Sequence, residues 1–324
     1  MWSDIFWLVL GLVLILSGAN FLTDGASAIA KKFGISDLVI GLTVVAFGTS
    51  TPELVISIVA SAQGSAPLAV GNVVGSNIFN ILAIIGITAI VRPIMVKNSV
   101  MTTEIPMVIL SSIILLVLGY TLTLDGTPNL VSRVEGILLL IFFILFMRYT
   151  FATARHKNPD IADPAESTSA NLSLPVWRSA LYVFGGLAAL IWGGDKFVDG
   201  ATGIARTLGV SDAVIGLTIV AVGTSLPELA TSVVAAVKNE PGLAIGNVIG
   251  SNIFNVLLVL GTAAVVRPLP FDDISHTDLW VLLGASVIFF LFGWRFKRRC
   301  ITRAEGAVMT ACYVAYSAWL VATV

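Results

Sequence analysis

Two glutamates stand deep inside long apolar runs, where an ionised side chain costs roughly 3 kcal/mol on membrane-insertion scales. Glu53 lies in GTSTPEL (48–54) and Glu228 in GTSLPEL (223–229). No Lys or Arg occurs between Gly34 and Arg92, nor between Val210 and Lys238, so an ion-pair partner would have to come from elsewhere in the chain. A bound cation or a proton is the simpler compensation. The neighbouring residues fit a cation. On a helical template Thr49, Glu53 and Ser57 share a face at i, i+4 and i+8, as do Thr224, Glu228 and Ser232, with Ser50 and Ser225 beside them. The next apolar runs contain GNVVGSNIFN (71–80) and GNVIGSNIFN (246–255). There Asn72, Ser76 and Asn80 repeat the spacing, as do Asn247, Ser251 and Asn255. All of these side chains offer oxygen, and none offers sulfur or imidazole. Hard cations take oxygen ligands, and Ca²⁺ takes about 6–8 of them in flexible geometry. Softer metals want Cys or His, and the two histidines, His156 and His276, are expected in loops. Ca²⁺ or Na⁺ is therefore favoured over Zn²⁺ or Cu⁺. Mg²⁺ fits less well because it sheds its waters reluctantly.

Plainer roles compete for some of these residues. Ser, Thr and Asn bond across membrane helices as packing glue, and Ser57, Ser232, Asn72 and Asn247 suit that role as well as ligation. The small-residue pairs Gly71/Gly75 and Gly246/Gly250 read as close helix packing. Asp24 and Asp199 are expected just past the first span of each half, as caps or surface charges near an interface.

The elements that must position these groups follow from composition. Of the 324 residues, 57% are apolar and only 11% charged, and the mean hydropathy is +0.97. A soluble domain carries about 25% charged residues, so the chain reads as a polytopic membrane protein in contact with lipid. Apolar segments fall at 5–22, 35–62, 66–91, 104–122, 131–149, 178–194, 210–237, 242–266, 279–294 and 303–324, which makes ten spans. The N-terminus lacks a basic leader region and is expected to be retained as a helix. Cys300 and Cys312 show no metal-ligand spacing and read as small residues in or near the last helix. The net charge of −1 and the lack of a basic patch argue against a nucleic-acid partner, and nothing implies a protein partner.

The chain also repeats. Residues 34–94 align without a gap on 209–269, with 36 of 61 positions identical. The expected units are residues 1–149, a polar linker at 150–177 and residues 178–324, with five spans in each half. An odd number of spans forces the second half to insert upside down. With both termini on the outer side, fourteen Lys and Arg fall on the cytoplasmic side and four outside, as the positive-inside rule requires. The sequon Asn171-Leu172-Ser173 then faces the cytoplasm, away from glycosylation. The fold class expected is all-α and polytopic, with ten transmembrane helices in two inverted five-helix repeats. That is a recurring design of secondary transporters, with the binding site at the midplane. A segment from Ile35 to Ala62 would be ~42 Å long as a straight helix, against a ~30 Å hydrocarbon core. Pro52 and Pro227 are expected to break it and its counterpart, releasing the Gly48 and Gly223 carbonyls.

GTSTPEL and GTSLPEL, each followed by a GNV(V/I)GSNIFN block, resemble the two α-repeats of the cation/Ca²⁺ antiporter superfamily, most closely its sodium/calcium exchanger family. The resemblance implies ten helices in two inverted repeats and exchange of Ca²⁺ for Na⁺ by alternating access, with no cofactor beyond the transported ions. It implies that Glu53 and Glu228 coordinate Ca²⁺, with oxygens added by Thr49 and Thr224. It places Ser50, Ser225, Ser76 and Ser251 at flanking Na⁺ sites, backbone carbonyls at Ala46 and Ala221, and Asn80 at the edge of the cluster. Asn255 stands where several members carry an acid, so this pocket holds only two formal negative charges. The missing aspartate argues against K⁺ co-transport. The short linker leaves no room for the Ca²⁺-sensing insert of animal exchangers.

Other functions have different signatures. Ca²⁺/H⁺ antiport could use the same two carboxylates, although the Thr and Ser oxygens favour Na⁺. A passive Ca²⁺ channel is disfavoured because acidic rings in pores come from oligomers. Enzyme activity is disfavoured because no serine motif also offers a histidine. The expected location is the plasma (inner) membrane.

Overall fold

The computed structural model describes residues 2–121, 129–155, 174–209, 221–271, 275–294 and 299–323. The first half contains α1 (Trp2–Phe33), α2 (Asp37–Thr49 and Thr51–Gln63, bent by 45°), α3 (Ala66–Val91), α4 (Val100–Gly119) and α5 (Arg133–Arg155). The second contains α6 (Val176–Thr207), α7 (Ala221–Gly223 and Leu226–Val237), α8 (Pro241–Val266), α9 (His276–Trp294) and α10 (Arg303–Thr323). Among the described residues, seven single helices are long and apolar enough to cross a membrane, and the bent α2 makes an eighth. The short apolar helix of α7 and the 21-residue α10 stand at the positions expected for the remaining two. The expected start of the seventh span, 210–220, lies outside the described residues, as do His156 and residues 156–173 of the expected linker. Residues 150–155 belong to α5, and Val176 opens α6.

Backbone contacts show the inversion directly. Gly11 of α1 lies against Gly193 of α6, Gly18 against Gly186, and Gly25 against Ser179. Residue numbers rise along one helix as they fall along the other, so the first helices of the two halves are antiparallel. At Gly18 a side chain would have its Cβ 2.8 Å from the Gly186 carbonyl oxygen, so glycine permits this backbone approach. The halves also exchange partners further along. Helix α10 packs on α3, and α5 packs on α8. Arg303 donates to the Ile90 carbonyl at 3.1 Å, and its counterpart Arg133 donates to the Val265 carbonyl at 3.2 Å. Each arginine meets the carbonyl-rich end of a helix in the other half, where positive charge is favoured. Two short antiparallel pairs repeat the exchange: β1 (Ile94–Met95) with β4 (Cys300–Ile301), and β2 (Leu130–Val131) with β3 (Leu269–Pro270). Ser112 and Ser286, at equivalent places in α4 and α9, share a 2.8 Å hydrogen bond on the pseudo-twofold axis. Helices α3 and α8 form the buried centre, while α1, α5 and α6 leave apolar side chains exposed.

Two expectations change. Helices α1 and α6 have 32 residues each, ~48 Å, so Asp24 and Asp199 sit within them rather than past their ends. The apolar run fades there because Ser17, Asn20 and Thr23 are polar, yet each bonds a carbonyl one turn back in its own helix. Asp24 is paired with Lys238 at 2.7 Å and Asp199 with Lys196 at 2.7 Å. His276 opens α9 and stacks on Tyr120, with ring centroids 4.2 Å apart. The cysteines stand in or near the last helix as expected: Cys300 lies in β4 just before α10, and Cys312 is exposed on α10.

Candidate functional site

Helix α2 reaches the centre of the molecule and stops. Residues Gly41–Val45 are wound as a π-helix, Ala46–Thr49 form one α-turn, and Ser50 leaves the helical region with φ −83° and ψ 7°. Thr51 and Pro52 then open a new helix, where proline is tolerated because its missing N–H falls in the first turn. The second half repeats the device: Ser225 has φ −92° and ψ 7°, and Leu226 and Pro227 open the helix that carries Glu228. Both glutamates therefore lie in a helix first turn, where the dipole favours an anion. At the first break the Ser50 N–H bonds the Ala46 carbonyl at 2.9 Å, and at the second the Ser225 N–H bonds the Val222 carbonyl at 3.1 Å.

The breaks face each other, and the glutamates are served crosswise. Ser50 donates to Glu228 Oε1 at 3.0 Å, and Ser225 donates to Glu53 Oε1 at 3.0 Å. Ser251 adds a longer 3.5 Å contact to Glu228 Oε1. Glu53 is 0% exposed and Glu228 1%, and the two carboxylates are near enough to repel one another. Neither has an Lys or Arg partner among the described residues, and the second oxygen of each carboxylate has no hydrogen-bond partner. Ser76 Oγ, Thr224 Oγ1, both amide atoms of Asn80 and Asn255 Oδ1 are also buried without partners. Such groups cost roughly 1–3 kcal/mol each when unsatisfied. Two carboxyl groups and the hydroxyls of Ser50, Ser225 and Ser251 thus meet in the buried centre, oxygens of the kind a hard cation takes.

The expected residues are mostly brought together here. Thr49 donates to Asn247 Oδ1 at 3.1 Å and approaches the Val45 and Ala46 carbonyls at 3.1 and 3.4 Å. Ala46 is buried beside it, and Ala221 opens the described part of α7. Asn72 and Asn247 take the packing role. Asn72 donates to the Glu53 carbonyl and Ser57, and Asn247 to the Glu228 carbonyl and Ser232, at 3.0–3.3 Å. They clamp each glutamate-bearing helix to the helix that follows. Gly246 and Gly250 pack closely on Leu38, Leu42 and Ala46, as expected, whereas among the described residues nothing lies within 4 Å of a Cβ placed at Gly71 or Gly75. Asn77 and Asn252 are additions. Both are buried at the centre, and Asn77 bonds across to the second half. Each follows a singled-out serine in GSNIFN, but lies off the i, i+4, i+8 stripe. Asn80 and Asn255 lie in π-helical segments, Phe79–Ile84 and Asn255–Leu260, a winding that recurs at functional sites.

A helical membrane protein with two inverted halves and a shared oxygen cage at its centre belongs to the class of ion-carrying transporters. Residues 3–152 and 178–322 match the family of sodium/calcium exchanger proteins. The chain belongs to that family, one of transporters rather than enzymes. It is 41% identical to CaxA of Alkalimonas amylolytica, named as a candidate antiporter, with 97% of each chain covered. It is 37% identical to the inner membrane protein YrbG of Escherichia coli, covering 97% of this chain and 95% of that one. The solved structure of the sodium-calcium exchanger NCX_Mj soaked with Na⁺ and Ca²⁺ superposes with a TM-score of 0.82 at 36% identity, with 97% of each chain covered.

Proposed function

We propose that this protein exchanges Ca²⁺ for Na⁺ across the membrane by alternating access. The observation that carries the reading is the crosswise pair: two buried carboxylates, each bonded by a serine of the opposite repeat. Glu53 and Glu228 are the central Ca²⁺ ligands, joined by Thr49 and Thr224. Ser50, Ser225, Ser76 and Ser251, the Ala46 and Ala221 carbonyls, and Asn80 and Asn255 surround them as Na⁺ ligands. One Ca²⁺ neutralises both carboxylates, and several Na⁺ ions can do the same, so the two cations compete for one pair of charges. A site carrying both bare charges resists passage through the low-dielectric centre, which makes the exchange obligatory. The donor set supports Na⁺ over H⁺ as the counter-ion, because protonating the carboxylates would still leave Ser76 Oγ, Thr224 Oγ1, Asn80 Oδ1 and Asn255 Oδ1 without a partner. NCX_Mj is a sodium-calcium exchanger by name, which supports the same reading.

The inverted halves, residues 1–155 and 176–324, form the two gates, joined by a cytoplasmic linker between α5 and α6. Charge bias favours both termini on the outer side, and the likeness to an inner membrane protein supports an inner-membrane location. The test is Ca²⁺ uptake into proteoliposomes. Uptake driven by an outward Na⁺ gradient is expected. Uptake driven by a pH gradient alone identifies a Ca²⁺/H⁺ antiporter instead, and uptake with neither gradient on the trans side identifies a passive channel.

A further inference from the structure

Each GSNIFN block carries two asparagines, Asn77 and Asn80 in α3 and Asn252 and Asn255 in α8, and Asn77 meets Asn252 and Asn255 across the pseudo-twofold axis. Each is at most 1% exposed. The blocks are identical in sequence, so symmetric hydrogen bonding is the default. The hydrogen bonding is not symmetric. Asn77 Nδ2 donates to the backbone carbonyl of Asn252 at 3.2 Å, and Asn77 Oδ1 accepts from Asn255 Nδ2 at 3.0 Å. The mirror-image bonds are missing. Asn252 turns back on its own helix, donating to the Val248 carbonyl at 2.7 Å, and its Oδ1 has no partner. Asn80, the counterpart of Asn255, has no partner for either amide atom.

Donor and acceptor chemistry fixes the orientations. A backbone carbonyl only accepts, so the Asn77 amino group must face Asn252 and its Oδ1 must face Asn255. Asn255 must therefore present its amino group to Asn77, which leaves Oδ1 as its free atom. A cation is attracted by that oxygen and repelled by an amide nitrogen. Asn255 is thus locked as an oxygen donor, while Asn80 has nothing to lock it. Because the residues are the same in both halves, rotating two carboxamides would produce the opposite arrangement.

We propose that Asn77 and Asn252 are positioning residues that act in turn. In the state seen here Asn77 clasps Asn255 and presents its oxygen to the cation site, and in the oppositely facing state Asn252 clasps Asn80 in the same way. The inference rests on the reading of the cage as a site open alternately to the two sides.

The test uses the near-isosteric variants Asn77→Leu and Asn252→Leu in proteoliposomes of uniform orientation, with Na⁺ and Ca²⁺ KM measured from each side. Losing one buried hydrogen bond to a ligand is expected to raise cation KM about fivefold from one side only, and the two variants should affect opposite sides. A merely structural role would weaken both sides equally or lower only kcat, and either result overturns the proposal. Wild-type vesicles that show no cation exchange would instead overturn the transport reading. If the leucine variants fail to fold, as shown by a loss of monodispersity, Asn77→Ser and Asn252→Ser replace them. The same opposite sidedness is then required.

Discussion

Glu240 carries a testable charge outside the cage. It lies in the turn Lys238–Glu240 between α7 and α8, 5% exposed, and its carboxylate accepts a hydrogen bond from Ser27 of α1. Burial pushes its carboxyl up from the ordinary 4.5 to about 7, aided by Asp37 and Asp24 and opposed by Lys31 and Lys238. The folded chain therefore holds a proton that the unfolded chain releases between pH 4.5 and 7. The stability linked to that proton is fully present below pH 4.5 and is lost as pH rises through 7. A rise of 7 − 4.5 units, at ~1.36 kcal/mol per unit, amounts to about 3 kcal/mol. Glu240→Gln keeps the shape and the acceptor for Ser27 but cannot ionise. The variant should match the wild type near pH 4 and exceed it by up to about 3 kcal/mol at pH 8. Thermal melts of both proteins in detergent from pH 4 to 8.5 give the difference curve, in which the other titrating groups cancel. A flat difference curve, or a variant less stable than the wild type at pH 8, refutes the reasoning.

The cage and the helix contacts give further expectations. Glu53→Gln and Glu228→Gln each remove one of the two buried charges, and each should abolish Ca²⁺ exchange while leaving the melting curve near that of the wild type. Full flux in either variant would exclude that glutamate as a ligand. Ser50→Ala and Ser225→Ala each remove one crosswise hydrogen bond to a carboxylate, worth about 1.5–3 kcal/mol. Calorimetric titration should show Ca²⁺ affinity changing by roughly tenfold or more in both, with equal effects if the halves are equivalent. Gly186→Ala would put its Cβ 2.7 Å from the Gly18 carbonyl oxygen and should lose about 1–3 kcal/mol. Gly185→Ala meets nothing within 4 Å and should gain about 1 kcal/mol from helix propensity. Melts of this neighbouring pair must move in opposite directions.

The fold was legible because its main signals are sums. Ten apolar stretches and a gapless duplication each draw on dozens of residues, so no single misplaced side chain can reverse them. Helix ends were less legible for the same reason. Hydropathy registers Ser17, Asn20, Thr23 and Asp24 as the end of a membrane run, although three of them bond within the helix and the fourth meets Lys238. That salt bridge joins residues 214 positions apart, and the Ser27–Glu240 bond spans 213. Neither has a local sequence signature. The π-helical turns at Gly41–Val45, Phe79–Ile84 and Asn255–Leu260 are equally silent, because they arise from packing rather than from any breaker residue.

At the cage, the oxygen-bearing residues can be named from the sequence, but not how they pair. A helical template places Thr49 beside Glu53, but in the fold the α2 break lies between them, and the hydroxyl nearest Glu53 comes from Ser225 of the other half. Pseudo-symmetry then requires Ser50 to reach Glu228, and it does so at the same 3.0 Å. Elsewhere that symmetry fails. Thr49 donates to Asn247, while Thr224 Oγ1 has no acceptor, and Asn247 is 0% exposed while Asn72 is partly open. Composition cannot explain these differences, because Thr49 and Thr224, like Asn72 and Asn247, are identical residues in aligned blocks. They arise from what surrounds each residue in the fold. A carrier built from two inverted halves would, if perfectly symmetric, be equally open or equally closed on both sides. Facing one side at a time requires the identical residues of the two halves to be held differently.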